Sequence, residues 1–430
     1  MPARVYLNLS DNLVNKIFFL FIPFTYALTF KIGFPLKLSE IALFILIFLY
    51  FFKRKITLQK QSLTEIKLLT LFCLFAVFST LINLFWPYTY KLNLYESRFG
   101  YAFDSLFKLF YLLLAYAAFL FSVKSFSANQ PKFLRIFIIG AIVAAIYAWY
   151  LFLGSFLRIP VLLLPGMDAQ PQAVGLSIGT FIRCGTFKEG NYMGLFLLIS
   201  AAMAFYAQRP RVGYFFLLTI LTTVSSMGIL CGILFLLLYN FKKLFTKKNL
   251  VKLFVFLIAF AALFLILLSN KDFQFLLYSK IFGQTKEITN NAEFSKADRL
   301  NSTVTAFQIG LHNPVFGVGL SNYSRHQKEY NADKRFFIQD FKSIPNNVYA
   351  ELFSELGILG FLLFLGFLFR LYRLTKKYDK PALRIGFICT LLYLIAFPTY
   401  TMFFLWVFWG LVASLPVAGN SAPALAHQKP

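Results

Sequence analysis

The chain is predicted to be all-α: a polytopic integral membrane protein of about twelve transmembrane helices, with one large extracytoplasmic loop between spans nine and ten. Three observations predict it. Of 430 residues, 59% are hydrophobic and only 14% charged, whereas a soluble domain carries about 25% charged residues. Apolar runs that approach or exceed the roughly 20 residues needed to cross a hydrocarbon core recur along nearly the whole chain. The basic residues, in net excess by 25 charges, stand in short clusters between these runs. Such clusters fix orientation in a membrane; they do not form the single patch that nucleic acid requires, and no nucleic-acid partner is expected.

The runs fall near 13–30, 38–52, 68–86, 104–123, 136–157, 191–207, 212–239, 253–269, 347–369 and 385–415. The first follows Arg4 and Lys16 and lacks a small-x-small cleavage site, so it is read as a retained span. Run 212–239 is flanked by Arg209 and Arg211 on one side and by Lys242, Lys243, Lys247 and Lys248 on the other. A single pass would place one cluster on the wrong side. Two short passes, breaking near Ser225-Ser226-Met227-Gly228, place both inside. Run 385–415 divides in the same way at Pro398-Thr399, because proline interrupts the helical hydrogen-bond ladder. With twelve spans and both termini cytoplasmic, the inner segments hold 24 Lys and Arg against three acids, Asp11, Glu65 and Asp379. The expected organisation is therefore spans one to nine in 1–269, an outer loop with short helices in 270–345, spans ten to twelve in 346–415, and a disordered tail in 416–430.

Within the spans, Glu40, Asp104 and Lys108 lie near predicted ends, where snorkelling satisfies a charge. Asp104 and Lys108 are also spaced as an i,i+4 pair. Cys73, Cys184, Cys231 and Cys389 are scattered without metal-ligand spacing, and Asp298 and Asp333 have no partner at such spacing. No metal and no cofactor are expected. No internal repeat is visible, which weighs against a transporter built from inverted halves.

Polar features gather on the outer side. Arg183-Cys-Gly-Thr-Phe-Lys-Glu-Gly-Asn191 stands at the mouth of the sixth span. Ala297-Asp298-Arg299 opens a helix with Val304, Phe307 and Leu311 on one face, ending at Asn313-Pro314. Gly317-Val-Gly319 permits a tight turn before Asn322-Tyr323, and Pro345-Asn346-Asn347 leads back into the membrane. Asn346 suits either an acceptor contact or a helix cap. Glu351 and Glu355, four apart, share a helical face; they are candidate bases, and equally ordinary partners of a helix N-terminus. His312 beside the proline turn reads as structural, and His326, next to Arg325 and Lys328, as an exposed alternative base.

The stretch from Asp298 to Gly360 resembles the shared C-terminal domain of the O-antigen ligase and polymerase family. That domain has an Arg opening a helix, a P-x-x-G-x-G-x-x-x-Y-like turn, then H-N-x-Y-L-x-x-x-x-E-x-G-x-x-G. Arg299, Pro314, Gly317, Gly319, Asn322-Tyr323, Asn347, Tyr349, Glu355, Gly357 and Gly360 occur here in that order. Arg183 with Gly185, Phe187 and Asn191 resembles the family's R-x-x-G-x-F-x-x-x-N segment. The resemblance implies metal-independent transfer of a glycan from a polyprenyl diphosphate to a glycan or lipid acceptor at the outer face of the bacterial inner membrane. The transfer either polymerises repeat units or ligates finished glycan. A diphosphate leaving group calls for arginine, whose planar fork meets phosphate oxygens two at a time. The implied binding residues are Arg183, Arg299, Asn347, Tyr323 and Arg325, and the catalytic candidates Arg299, Asn346, Glu351 and Glu355. The family's ligases carry His where this chain has Asn346, and commonly Ser-Arg where it reads Ser226-Met227, which tilts the expectation toward a polymerase. The expected partners are the lipid bilayer, a polyprenyl-diphosphate-linked glycan and its acceptor; a chain-length regulator is left open. The rival expectations are a flippase for the same lipid-linked glycan, which would line a central path with polar residues, and a scaffold that needs neither arginine.

Overall fold

Helix α3 (Leu63–Phe85) turns Leu71, Leu74, Phe78, Leu81 and Phe85 outward, each at least 41% exposed. Spaced three and four apart, they make one continuous apolar face that water does not wet favourably. The medium that satisfies such a face is lipid. The computed structural model in which this is seen describes residues 8–32, 34–53, 63–85, 98–176, 179–244, 291–331 and 343–418. It is mostly helical, at 77%. Three helical stretches, Thr64–Phe85, Ala102–Phe156 and Val348–Lys377, are long and apolar enough to cross a membrane, and the protein is membrane-embedded. The expected ninth span, the first part of the outer loop and the tail beyond residue 418 lie outside the described residues.

The other apolar helices are short because the chain interrupts them. Helix α1 (Asn8–Phe21) stops ahead of Pro23, so the first run does not continue as helix to Phe30. Strands β1 (Thr29–Ile32) and β2 (Phe34–Lys37) follow as an antiparallel hairpin with Thr29 opposite Lys37, and then comes helix α2 (Leu38–Lys53). A second hairpin pairs β3 (Ala173–Leu176) with β4 (Gly179–Ile182), Ala173 opposite Ile182. The helical class agrees with the sequence expectation, and the hairpins are a small addition to it: where helices break, the backbone groups still need partners, and four-residue strands supply them. Helix α4 (Arg98–Phe156) consists of two halves meeting at Asn129, whose φ −156° and ψ 79° are non-helical. Asn129 Oδ1 accepts the Lys132 N–H at 3.2 Å, and Pro131 fits the first turn of the second half. The inner connection expected over 124–135 is therefore reduced to a break at one residue.

Helices α5 (Gly190–Tyr206) and α6 (Pro210–Thr219) lead into a 3-10 turn over Ile220–Thr223. Val224 takes φ +47°, and α7 (Ser226–Leu244) begins anew. Ser225 Oγ caps it by accepting the Gly228 N–H at 3.1 Å. In the segment between α7 and the last long helix lie α8 (Asn291–His312) and α9 (Tyr323–Tyr330). Helix α10 (Val348–Lys377) then runs through a non-helical Gly357. Helix α11 (Pro381–Tyr393) ends in a 3-10 turn, and α12 (Phe403–Ala413) resumes after a gap that contains Pro398-Thr399. Both breaks thus fall where the sequence places them. Helix α12 packs on α4 and α10. There the Trp409 ring centroid lies 5.7 Å from Phe364, 5.8 Å from Phe367 and 5.4 Å from Trp406, in the edge-on arrangements aromatic quadrupoles prefer.

Helix α8 starts earlier than Ala297 and ends as expected. Val304, Phe307 and Leu311 do share a face, but that face is exposed, Leu311 at 67%. Ser302, Thr305, Ala306 and Ile309 are buried on the other side, on a helix that packs closely with α10. Small side chains allow that approach, which leaves the apolar stripe outward, as in helices that lie in a membrane interface.

Candidate functional site

The two glycine motifs form one backbone joint. Ile358 N–H donates to the Pro314 carbonyl at 2.7 Å, Val318 N–H to Ser354 at 2.9 Å and Gly319 N–H to Glu355 at 2.9 Å. Gly317 and Gly357 sit at φ +65° and +63°, in the left-handed region that a side chain disfavours. A Cβ on Gly317 would lie 2.4 Å from the Glu355 carbonyl carbon, and one on Gly357 would lie 2.5 Å from the Val315 oxygen. The turn after α8 is thereby locked against the first two turns of α10, which carry Glu351 and Glu355.

Arg183 follows β4. Gln172, just before β3, holds it: Gln172 Oε1 accepts both Arg183 Nε at 3.1 Å and Gly190 N–H at 2.8 Å. Arg183 Nη1 and Nη2 make no hydrogen bond among the described residues, and neither does the Arg299 guanidinium in the third turn of α8. These two cations, far apart in sequence, stand within electrostatic reach of each other. Burial first, and then the Arg299 charge, pull the Arg183 pKa down, while Glu189 opposes them. Asp298, beside Arg299, is pushed up by burial. Tyr192 of α5 lies within reach of the Arg299, Glu189 and Glu351 charges, and Tyr393 within reach of both arginines. The floor beneath is made by both helix breaks. Tyr393 Oη donates to the Asn191 carbonyl at 2.9 Å and meets Ser225 Oγ at 3.0 Å, so the phenol proton is committed to Asn191 and the serine hydroxyl donates to the phenol.

Lys108 of α4 reaches across to α10. Its Nζ lies 2.6 Å from Glu351 Oε1 and 2.6 Å from Glu355 Oε2. Both carboxylates are 2% exposed. Glu351 Oε2 is buried with no hydrogen-bond partner among the described residues, as is the Tyr400 hydroxyl. The i,i+4 reading of Asp104 with Lys108 is thus corrected: Asp104 Oδ2 lies 3.4 Å from Arg325 Nη2, and Lys108 binds the glutamates. Glu40 is likewise buried, paired with Lys37 at 2.5 Å. Snorkelling does not describe it.

The remaining candidates hold the loop. Tyr323 Oη donates to the Ser302 carbonyl at 3.1 Å. Arg325, 4% exposed, donates to Asn322 Oδ1 and pairs with Asp104, while Ser105 Oγ also donates to Asn322 Oδ1. Arg325 therefore clamps α9 to α4. The cap of α10 is Asn347 and not Asn346: its Oδ1 accepts from Tyr349 N–H at 2.9 Å and Ala350 N–H at 3.2 Å. Asn347→Ala is expected to lower stability by about 1 kcal/mol, and Asn346→Ala by less; paired thermal melts in detergent check this. His312 Nδ1 lies 2.8 Å from the Gln308 carbonyl, a local contact.

His326 is buried and not exposed. Burial, and then Arg325, push its pKa down to about 4. Folding thus favours its neutral form. The unfolded chain takes up this proton near pH 6.5 and the folded one only near pH 4, so the contribution destabilises the fold progressively as pH falls through that window. The melting temperature is expected to drop over this range, and less steeply in His326→Gln.

Sequence reasoning missed the pairing of Lys108 with the two glutamates, Gln172 and the Ser225–Tyr393 contact. Only Lys108, a charge inside an apolar run, left a signal. At the far end of α10 a cavity of about 610 Å³ is lined by Glu65, Arg370, Arg373, Leu374, Lys376 and Lys377. It belongs to the basic clusters at the other end of the bundle and not to this site. Among the described residues no group of three His, Cys, Asp or Glu side chains could hold a metal.

Residues 212–365 match the family model described as O-antigen ligase. The matched segment takes in the 220–225 break, α8, the glycine joint and both glutamates, and bears out the resemblance carried by the motif order. No curated protein matches the chain. The family domain supports a role in membrane polysaccharide biosynthesis and a glycosyltransferase-like enzyme.

Proposed function

We propose that the protein transfers a glycan from a polyprenyl diphosphate to an acceptor hydroxyl at the extracytoplasmic face of the inner membrane. The chain crosses the membrane twelve times with both termini inside. The observation that carries this is the pair of arginines, Arg183 and Arg299, which stand within electrostatic reach of each other with no hydrogen-bond partner among the described residues for their terminal nitrogens. Two like charges held near each other favour an anion between them, and a diphosphate supplies oxygens for both forks. In the transfer, the acceptor oxygen attacks the anomeric carbon as the bond from that carbon to the diphosphate breaks. The electron pair leaves on the diphosphate, where the arginines stabilise it, and the hydroxyl proton passes to Glu351 Oε2. Products are the extended glycan and the polyprenyl diphosphate. With Asn346 in place of a histidine, Glu351 supplies the base, and polymerisation of repeat units is favoured over ligation. A flippase fits less well, because the Lys108–Glu351–Glu355 group and the two arginines gather toward one end of the bundle. Arg183→Ala in a producing strain is expected to collapse the surface glycan to short products on a gel. A normal chain-length distribution, with the variant present in the membrane, would contradict the assignment. Deletion of the protein separates the two chemistries: single repeats on the acceptor indicate a lost polymerase, and unattached long chains a lost ligase.

A further inference from the structure

Lys108 sits about three turns into a membrane helix and spends its charge on two carboxylates of another helix. Two carboxylates buried in this way, around an ammonium that is 18% exposed, carry a desolvation penalty that apolar side chains of similar volume would avoid. Stability alone does not account for them. The geometry is also asymmetric. Glu351 Oε1 is fixed by Lys108 and Glu355 Oε2 by the same ammonium, while Glu351 Oε2 stays buried without a protein hydrogen bond among the described residues. The carboxylate plane of Glu351 is thus held by one oxygen and offers the other. The Tyr400 hydroxyl, also buried without a partner among the described residues, lies within electrostatic reach of both glutamates, and its ring centroid is 5.9 Å from Lys108 Nζ. Glu355 is in turn locked through its own carbonyl to Gly319 of the outer turn, so the lysine is anchored at both ends.

We propose that Lys108 is a positioning residue for transfer: it clamps Glu351 against Glu355 so that Glu351 Oε2 is the oxygen presented to the acceptor hydroxyl, with the Tyr400 hydroxyl as a second polar contact for that acceptor. This rests on the reading of Glu351 as the base. A polyhydroxylated acceptor suits two unpaired buried polar atoms of opposite character, one that accepts only and one that can donate.

The test uses full-length protein in detergent with a lipid-linked repeat unit as the probe, and measures kcat and KM for four variants beside the wild type. Lys108→Met is expected to lower kcat about 10- to 100-fold with KM for the donor nearly unchanged, and Lys108→Arg to restore most of it. Removing the cation from two carboxylates also threatens folding, so Lys108→Met/Glu355→Gln removes one negative charge at the same time. If Lys108 only balances charge, this double variant regains turnover, and the inference is overturned. If it positions Glu351, the double variant folds and stays slow. Wild-type kcat in Lys108→Met would also overturn it. Glu351→Gln separates the levels: full turnover there removes the base reading itself, whereas a slow Glu351→Gln beside a normal Lys108→Met removes only the role of the lysine.

Discussion

Arg299→Ala is expected to lower glycan transfer by about 100- to 1,000-fold, with the protein still folded and in the membrane. The loss should fall on kcat, because the charge that Arg299 stabilises grows as the diphosphate departs. Arg299→Lys is expected to recover only part of it: an ammonium is a point charge and cannot present a fork to two oxygens. The double variant Arg183→Ala/Arg299→Ala should lose less than the product of the two single losses, since both act on one leaving group. Turnover by purified variants with a lipid-linked repeat unit measures all of these. Equal kcat for wild type and Arg299→Ala would remove Arg299 from the chemistry.

The second large effect is structural. Gly357→Ala should prevent α10 from meeting the turn after α8. The positive-φ, extended-ψ backbone (φ +63°, ψ −169°) costs about 1–3 kcal/mol with a side chain, and the new Cβ would stand 2.5 Å from the Val315 oxygen. A backbone joint cannot swing aside, so misfolded or strongly destabilised protein is expected. Gly366, on the same helix, has open space where a methyl group would go, with nothing within 4 Å. Gly366→Ala should be neutral or stabilising by up to about 1 kcal/mol. Detergent melting curves of the two variants, run side by side, check the contrast. Similar melting temperatures would mean that the joint does not hold the site.

Much of this was legible in the sequence, for physical reasons that differ by element. The helix breaks near Ser225 and Pro398 followed from charge clusters and a proline, both local signals. Arg183, Arg299 and Glu351 were legible as polar residues kept at one end of an apolar chain. The two hairpins were not: Thr29–Lys37 reads as the end of one span and the start of the next, and only the tertiary contacts of a broken helix make it pair as strands. Thr186 accepts the Tyr26 and Ala27 N–H groups there. Lys108 was misassigned because helical spacing offers Asp104 as a partner at no cost in sequence distance, whereas its actual partners lie more than 240 residues away. What covers the apolar stripe of α8 was not legible for a related reason. Periodicity tells which residues share a face, but not whether protein or lipid covers it.

The central claim is that two arginines within electrostatic reach of each other and a buried glutamate make an enzyme of this membrane protein. Its most direct test is the wild-type protein, purified in detergent and given lipid-linked repeat units with no membrane gradient, its products sized on a gel. Longer glycan, with release of polyprenyl diphosphate in step, is the result predicted. Unchanged repeat units from protein that is folded and monodisperse would contradict it.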